Sequence, residues 1–137
     1  MTLLETLRLY PPVPHLVREP VVDDEIVGEP VKARSQVWIS LWVTHRHRKF
    51  WEQPTAFIPE RFAGKASPWT TIGAYLPFGA GPRICIGATF AMAEAHIMMA
   101  KLLQRCRIIC DDVRPVLPVA RVTIEPSFVP MFRLERV

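Results

Sequence analysis

Phe78-Gly79-Ala80-Gly81-Pro82-Arg83-Ile84-Cys85-Ile86-Gly87 is a glycine-rich bend that presents one cysteine immediately before an apolar helical run. The glycines permit positive φ and a close approach of the backbone to a flat ligand. A cysteine at a helix start feels the positive end of the dipole and the neighbouring amides, which stabilise negative charge on sulfur. Amides aimed at the sulfur also tune its electron donation. Arg83, two residues before Cys85, adds positive charge and suits an acidic group on a ligand.

Working outward, the run from Ile86 or Gly87 to about Gln104 reads as a helix that is apolar nearly all round. Glu94, His96 and Lys101 interrupt it, so a core helix is expected rather than a membrane span. Upstream, Ala63 to Pro82 has no period, and loops of that length usually carry function. Thr2 to Leu9 reads as a helix with Glu5 and Arg8 on one face, ended by Pro11-Pro12. It opens without N-terminal support, as though a longer chain had been cut within it. Val13 to Val43 reads as short strands and turns, with Val21-Val22, Glu25 to Val27 and Gln36 to Leu41 as strand candidates. His45 to Glu52 is expected to be a short helix and Pro54 to Phe62 irregular. Val116 to Val137 alternates around prolines and suggests a small antiparallel sheet. The fold class expected is α+β, mainly α with small sheets.

Bulk properties narrow the function. The 137 residues include 50% hydrophobic and 22% charged residues, a globular balance that excludes a disordered tail. The formal net charge of +4 is spread without a basic block or a zinc-finger or RNP-type motif, which argues against nucleic acid as a partner. Arg46, Arg48, Lys49, Lys101 and Arg105 instead suggest a basic face for an acidic protein. Three cysteines are too few for a disulfide framework. Cys106 and Cys110 lack a His or Cys pair at zinc-site spacing and read as small apolar side chains.

The cysteine run resembles the ligand loop of the cytochrome P450 family. It fills that loop's fixed positions with Phe78, Gly79, Arg83, Cys85 and Gly87, and its inner glycine with Gly81, Ala80 being the free position. Two further segments match the family in the same order: Glu5-Thr6-Leu7-Arg8 resembles its Glu-x-x-Arg helix motif, and Pro59-Glu60-Arg61-Phe62 its Pro-Glu-Arg-Phe motif. Alone, Glu5 and Arg8 would be an ordinary surface pair. Three motifs in register carry the resemblance across the whole chain.

The resemblance implies a haem-thiolate monooxygenase, with residues 1–137 as the C-terminal part of a single domain. That part holds the K and L helices, the proximal cysteine loop and short antiparallel sheets. It implies haem b with Cys85 as the axial iron ligand, Phe78 packed near the sulfur, and Gly79 and Gly87 shaping the loop. Arg83 and Arg18 would meet the haem propionates. Glu5, Arg8 and Arg61 would form a buried charge network. Val13, Val17, Val122 and Thr123 would line the substrate side, suggesting a small apolar organic substrate. Electrons would come from a ferredoxin, a flavodoxin or a flavoprotein reductase. His45-Arg46 and Trp51 lie in the stretch before Pro59 where the family often has His-Arg and Trp; His45 is expected to be structural, and His15, His47 and His96 have no motif support.

In the family the helix that delivers protons to bound oxygen lies upstream of the Glu-x-x-Arg motif. The expectation is therefore a fragment that is inactive alone, with no catalytic residue for oxygen activation in these residues. The alternative is a non-catalytic remnant, truncated or from a pseudogene, that binds haem poorly or not at all. A bacterial cytoplasmic location is expected, although a membrane anchor would belong to the part of the family fold that precedes this stretch.

Overall fold

The computed structural model describes residues 1–64 and 73–137. Residues 65–72, within the aperiodic stretch expected from Ala63 to Pro82, lie outside the described residues.

Helix α1 spans Thr2–Leu9, and Tyr10 caps it by donating its amide to the Thr6 carbonyl. Pro11 and Pro12 have no amide to continue the ladder, so the chain leaves in an extended path. The helix turns Glu5, Arg8 and Leu9 inward, all buried.

Strand β1 (His15–Arg18) pairs antiparallel with β4 (Val37–Ser40), from His15 opposite Ser40 to Arg18 opposite Val37. Between them, β2 (Asp24–Ile26) and β3 (Glu29–Val31) form a hairpin. Its two-residue turn, Val27-Gly28, has positive φ at both positions, 55° and 84°. That is the turn whose twist matches antiparallel strands, and it places a β-branched residue in an unfavourable region.

Two readings of this region are corrected. Val21-Val22 is a bend, because Asp23 beside it is tied to the Ala33 amide at 2.9 Å and to Lys32. Strand β1 carries no clear alternation and exists because β4 pairs with it. The helix expected at His45 to Glu52 forms instead as α2 over Leu41–Thr44, capped by Ser40 Oγ accepting from the Val43 amide. Serine is a strong N-cap, and Leu41 anchors the turn in the interior.

Pro59–Phe62 forms a 3-10 turn. Trp51, Phe62, Ala74 and Tyr75 make the main apolar cluster, with Leu4 of α1 packed against it. Their rings meet in tilted and edge-on pairs 5.2 to 6.2 Å apart, arrangements that aromatic quadrupoles favour.

Helix α3 spans Ala88–Leu103. None of its residues is buried among the described residues, and Phe90 and Met98 are 73% and 64% exposed. Strand β5 (Cys106–Cys110) follows and pairs antiparallel with β8 (Phe132–Arg136). Strands β6 (Pro118–Ala120) and β7 (Ile124–Pro126) form the last hairpin, which the Ile124 amide attaches to the Pro12 carbonyl at 2.8 Å. Cys106 and Cys110, four residues apart on one strand, are separated by about 13 Å, too far for a disulfide. No group of metal-ligating side chains occurs among the described residues, and no helix among them is long and apolar enough to cross a membrane.

Candidate functional site

The cysteine loop is a tight turn followed by a wider bend that closes back on Phe78. Gly79 donates its amide to the Leu76 carbonyl at 2.9 Å, and Cys85 donates to the Phe78 carbonyl at the same distance. Gly79 and Gly81 have φ of +76° and +71°, the left-handed region that the bend requires. Gly79 is buried, and a Cβ there would stand 3.6 Å from Leu16 Cδ1. Strand β1 therefore backs directly onto the loop.

Gly81–Arg83 makes a 3-10 turn that delivers Cys85 to the surface. Gly87 then caps α3, and a Cβ on it would sit 3.8 Å from Cys85 Sγ. Ile86, between them, is fully exposed. Beside the loop lies a cleft of about 350 Å³ lined by Phe78, Ile84, Ala88, Thr89 and Met92. Arg83 is exposed. Arg18 bonds only the neighbouring Val17 carbonyl among the described residues. Among the described residues, neither guanidinium has a carboxylate partner.

Behind the loop, Glu5, Arg8 and Arg61 come together across more than fifty residues of sequence. Arg8 grips both Glu5 oxygens, Nε to Oε2 at 2.7 Å and Nη2 to Oε1 at 2.8 Å. Its remaining donors reach the carbonyls of His45, Pro54 and Ala56 at 2.7, 2.7 and 3.0 Å. All five guanidinium N–H groups are thereby used. Glu5 Oε1 also accepts from the Ile58 amide at 2.8 Å and from Arg61 Nε at 3.1 Å. Glu5 and Arg8 are fully buried. Burial would raise the Glu5 carboxyl, but the bond from Arg8, the Ile58 amide, the Arg8 charge and Arg61 outweigh it and hold the group below its ordinary 4.5. Such a pair is tolerable in the interior only because its donors and acceptors are satisfied.

The resemblance marks His45 as structural, but nothing in its motif names its partners. It is completely buried. Its Nδ1 lies 3.1 Å from the Arg8 carbonyl, and its Nε2 accepts from the Leu76 amide at 2.8 Å. The ring stacks on Tyr75 at 5.6 Å, and the Tyr75 hydroxyl donates to the Leu4 carbonyl at 2.9 Å. A buried histidine midway between a helix motif and a cysteine loop leaves no periodic signal in the sequence.

The other expected site residues divide. Val13 and Val17 are each 40% exposed, and Val122 and Thr123 lie in the exposed bend between β6 and β7. The Ile124–Pro12 bond brings these two segments side by side. Of the basic face, Arg48, Lys49, Lys101 and Arg105 are exposed. Arg46 is not part of it: its guanidinium lies 3.3 Å over the Trp42 ring and donates to the Leu9 carbonyl. Stacking and capping at the end of α1 claim that charge.

Against known proteins, residues 1–128 match the cytochrome P450 family. The chain is 46% identical over 110 residues to steroid 17-alpha-hydroxylase/17,20 lyase of Pan troglodytes, an alignment covering 76% of this chain and 21% of the relative. It is 36% identical over 107 residues to thromboxane-A synthase of Sus scrofa, covering 78% and 20%. It thus spans about a fifth of the length of the curated relatives it matches. Among solved structures, it resembles a zebra fish cytochrome P450 with progesterone (TM-score 0.82, 29% identity, 97% of this chain and 30% of that one). A retinoic acid-bound cyanobacterial P450 superposes with TM-score 0.89 at 27% identity, covering 99% and 32%. The mammalian origin of these sequence relatives overturns the expectation of a bacterial cytoplasmic protein. The glycine bend before Cys85, the cluster of Glu5, Arg8 and Arg61, and the match over nearly the whole sequence agree that this chain belongs to the cytochrome P450 family.

Proposed function

We propose that Cys85 binds a haem iron as its axial thiolate, and that residues 1–137 are the haem-proximal part of a single monooxygenase domain. The observation that carries this reading is the exposed Cys85, held after a bend of positive-φ glycines at the mouth of α3, with no side chain at Gly87 beside its sulfur.

The donors present fit a haem. Cys85 is exposed, Phe78, Ile84 and Met92 offer an apolar cleft beside it, and Arg83 and Arg18 are available to two carboxylates. The Cys85–Phe78 backbone bond fixes the height of the sulfur. Gly79, braced against Leu16, keeps the loop from sinking or rising. The network of Glu5, Arg8 and Arg61 holds the chain behind the loop in place. When bound, haem with a thiolate ligand supplies reductive activation of dioxygen. Val13, Val17, Val122 and Thr123 would border an apolar substrate. The names of the relatives make a steroid-like molecule the class to try first. A separate ferredoxin, flavodoxin or flavoprotein reductase would supply electrons, docking on Arg48, Lys49, Lys101 and Arg105.

The test is haem titration followed by the spectrum of the ferrous carbon monoxide complex. A strongly red-shifted Soret band is expected, and Cys85→Ser should abolish it. Retention of that band in the serine variant would overturn the ligand assignment.

A further inference from the structure

We infer that His45, as its neutral Nδ1–H tautomer, is a positioning residue that hooks the cysteine loop to the helix carrying Glu5 and Arg8. The inference rests on the proposed haem-thiolate role of Cys85 for its functional meaning, while its geometry rests on hydrogen bonds within this chain.

Nε2 accepts the Leu76 amide at 2.8 Å, so it carries a lone pair and no proton. Nδ1 must then hold the ring proton and donate it to the Arg8 carbonyl at 3.1 Å. Only this tautomer satisfies both contacts. The hook continues through backbone. Leu76 accepts at its carbonyl from Gly79, and Phe78 accepts from Cys85, each at 2.9 Å. Two side-chain bonds, one turn bond and one loop-closing bond therefore connect the C-terminal half of α1 to the sulfur-bearing residue.

The ring has no freedom to find other partners. It is completely buried, stacked on Tyr75, and backed by Arg8, whose own Nη1 binds the His45 carbonyl at 2.7 Å. His45 thus contacts the charge cluster on one side and the loop on the other. Burial pushes its imidazolium down to about 4, opposed by the bond to the Arg8 carbonyl and reinforced by the Arg8 and Arg46 charges. The acceptor lone pair on Nε2 therefore persists at neutral pH.

His45→Asn and His45→Gln separate the two halves of the hook. The shorter amide keeps a donor near the Nδ1 position and loses Leu76. The longer one places an acceptor near the Nε2 position and keeps Leu76. Losing a buried bond of this kind corresponds to about a tenfold change in an equilibrium. Haem-loaded chain is expected to keep its thiolate-type carbon monoxide band in the glutamine variant. In the asparagine variant the ratio of thiolate-type to other ferrous species should fall about tenfold. Equal bands in both variants, whatever their stability, would overturn the inference. Nitrogen-15 NMR of the unsubstituted apoprotein provides a reading that needs neither a variant nor haem. It should show Nδ1–H at pH 7, with exchange protection at the Leu76 and Cys85 amides. An Nε2–H tautomer or an unprotected Leu76 amide would sink the inference even if haem binds. Failure of haem to bind, with the tautomer as expected, would count against the proposed function alone.

Discussion

Glu5→Gln is the sharpest probe of what holds the site together. In the native chain Oε1 accepts three hydrogen bonds and Oε2 one, from Arg8 Nε at 2.7 Å. A glutamine side chain does least damage with its NH₂ at the Oε2 position, where it faces the Arg8 Nε–H donor to donor. Arg8, fully buried, then keeps its charge without a counter-ion. Breaking one partner of a buried ion pair costs about 3–5 kcal/mol. Total stabilities run to about 5–15 kcal/mol, so the loss is a large fraction of the whole. With a urea slope of about 2 kcal/mol per molar, the unfolding midpoint should drop by about 2 M at pH 7 when followed by far-UV circular dichroism. The pH dependence adds a second check. The folded Glu5 carboxyl titrates below its ordinary 4.5. Its stabilisation is therefore complete above the unfolded value and lost as pH falls through the folded one. The gap between native and variant chains should narrow in acid. A midpoint shift below about 0.5 M at pH 7, or a gap that does not shrink, would refute the claim that this carboxylate is a buried counter-ion.

Gly79→Ala should destabilise the chain by about 1–2 kcal/mol, because φ of +76° is costly for an L-residue while the 3.6 Å approach to Leu16 is an ordinary contact. Thermal unfolding measures it, and a loss above about 4 kcal/mol would mean that sterics dominate. His45 should produce an acid limb of its own. Its folded value near 4 lies below the ordinary 6.5, so its stabilisation is present above the unfolded value and is lost as pH falls from there towards 4. That limb, on the order of 3 kcal/mol, should vanish from the stability profile of His45→Gln.

Much of the local structure could be read from particular residues. Pro11-Pro12 ends α1 because it cannot donate, and Gly79 and Gly81 take the positive φ that their lack of a side chain invites. The limits of α3, expected from about Ile86 or Gly87 to Gln104, come out at Ala88 and Leu103 because a long apolar run with helix formers has few alternatives. Strand β1 and helix α2 were not legible, since four residues carry too little pattern and each depends on a partner or a cap supplied by folding. Arg46 read as a surface charge because nothing in the sequence shows that Trp42 lies beneath it.

The sequence by itself determined the family, the cysteine and its glycine bend, and the three residues of the charge cluster. Those features depend on residue type at short spacing, where backbone freedom and charge act locally. Only the tertiary structure decided which partners satisfy them. Arg8 spends its five donors on Glu5 and on three carbonyls 37 to 48 residues away. His45 finds Leu76 across 31 residues. Hydrogen bonds in a buried site must be completed by whatever backbone the fold brings there, and no periodicity in the chain encodes that meeting.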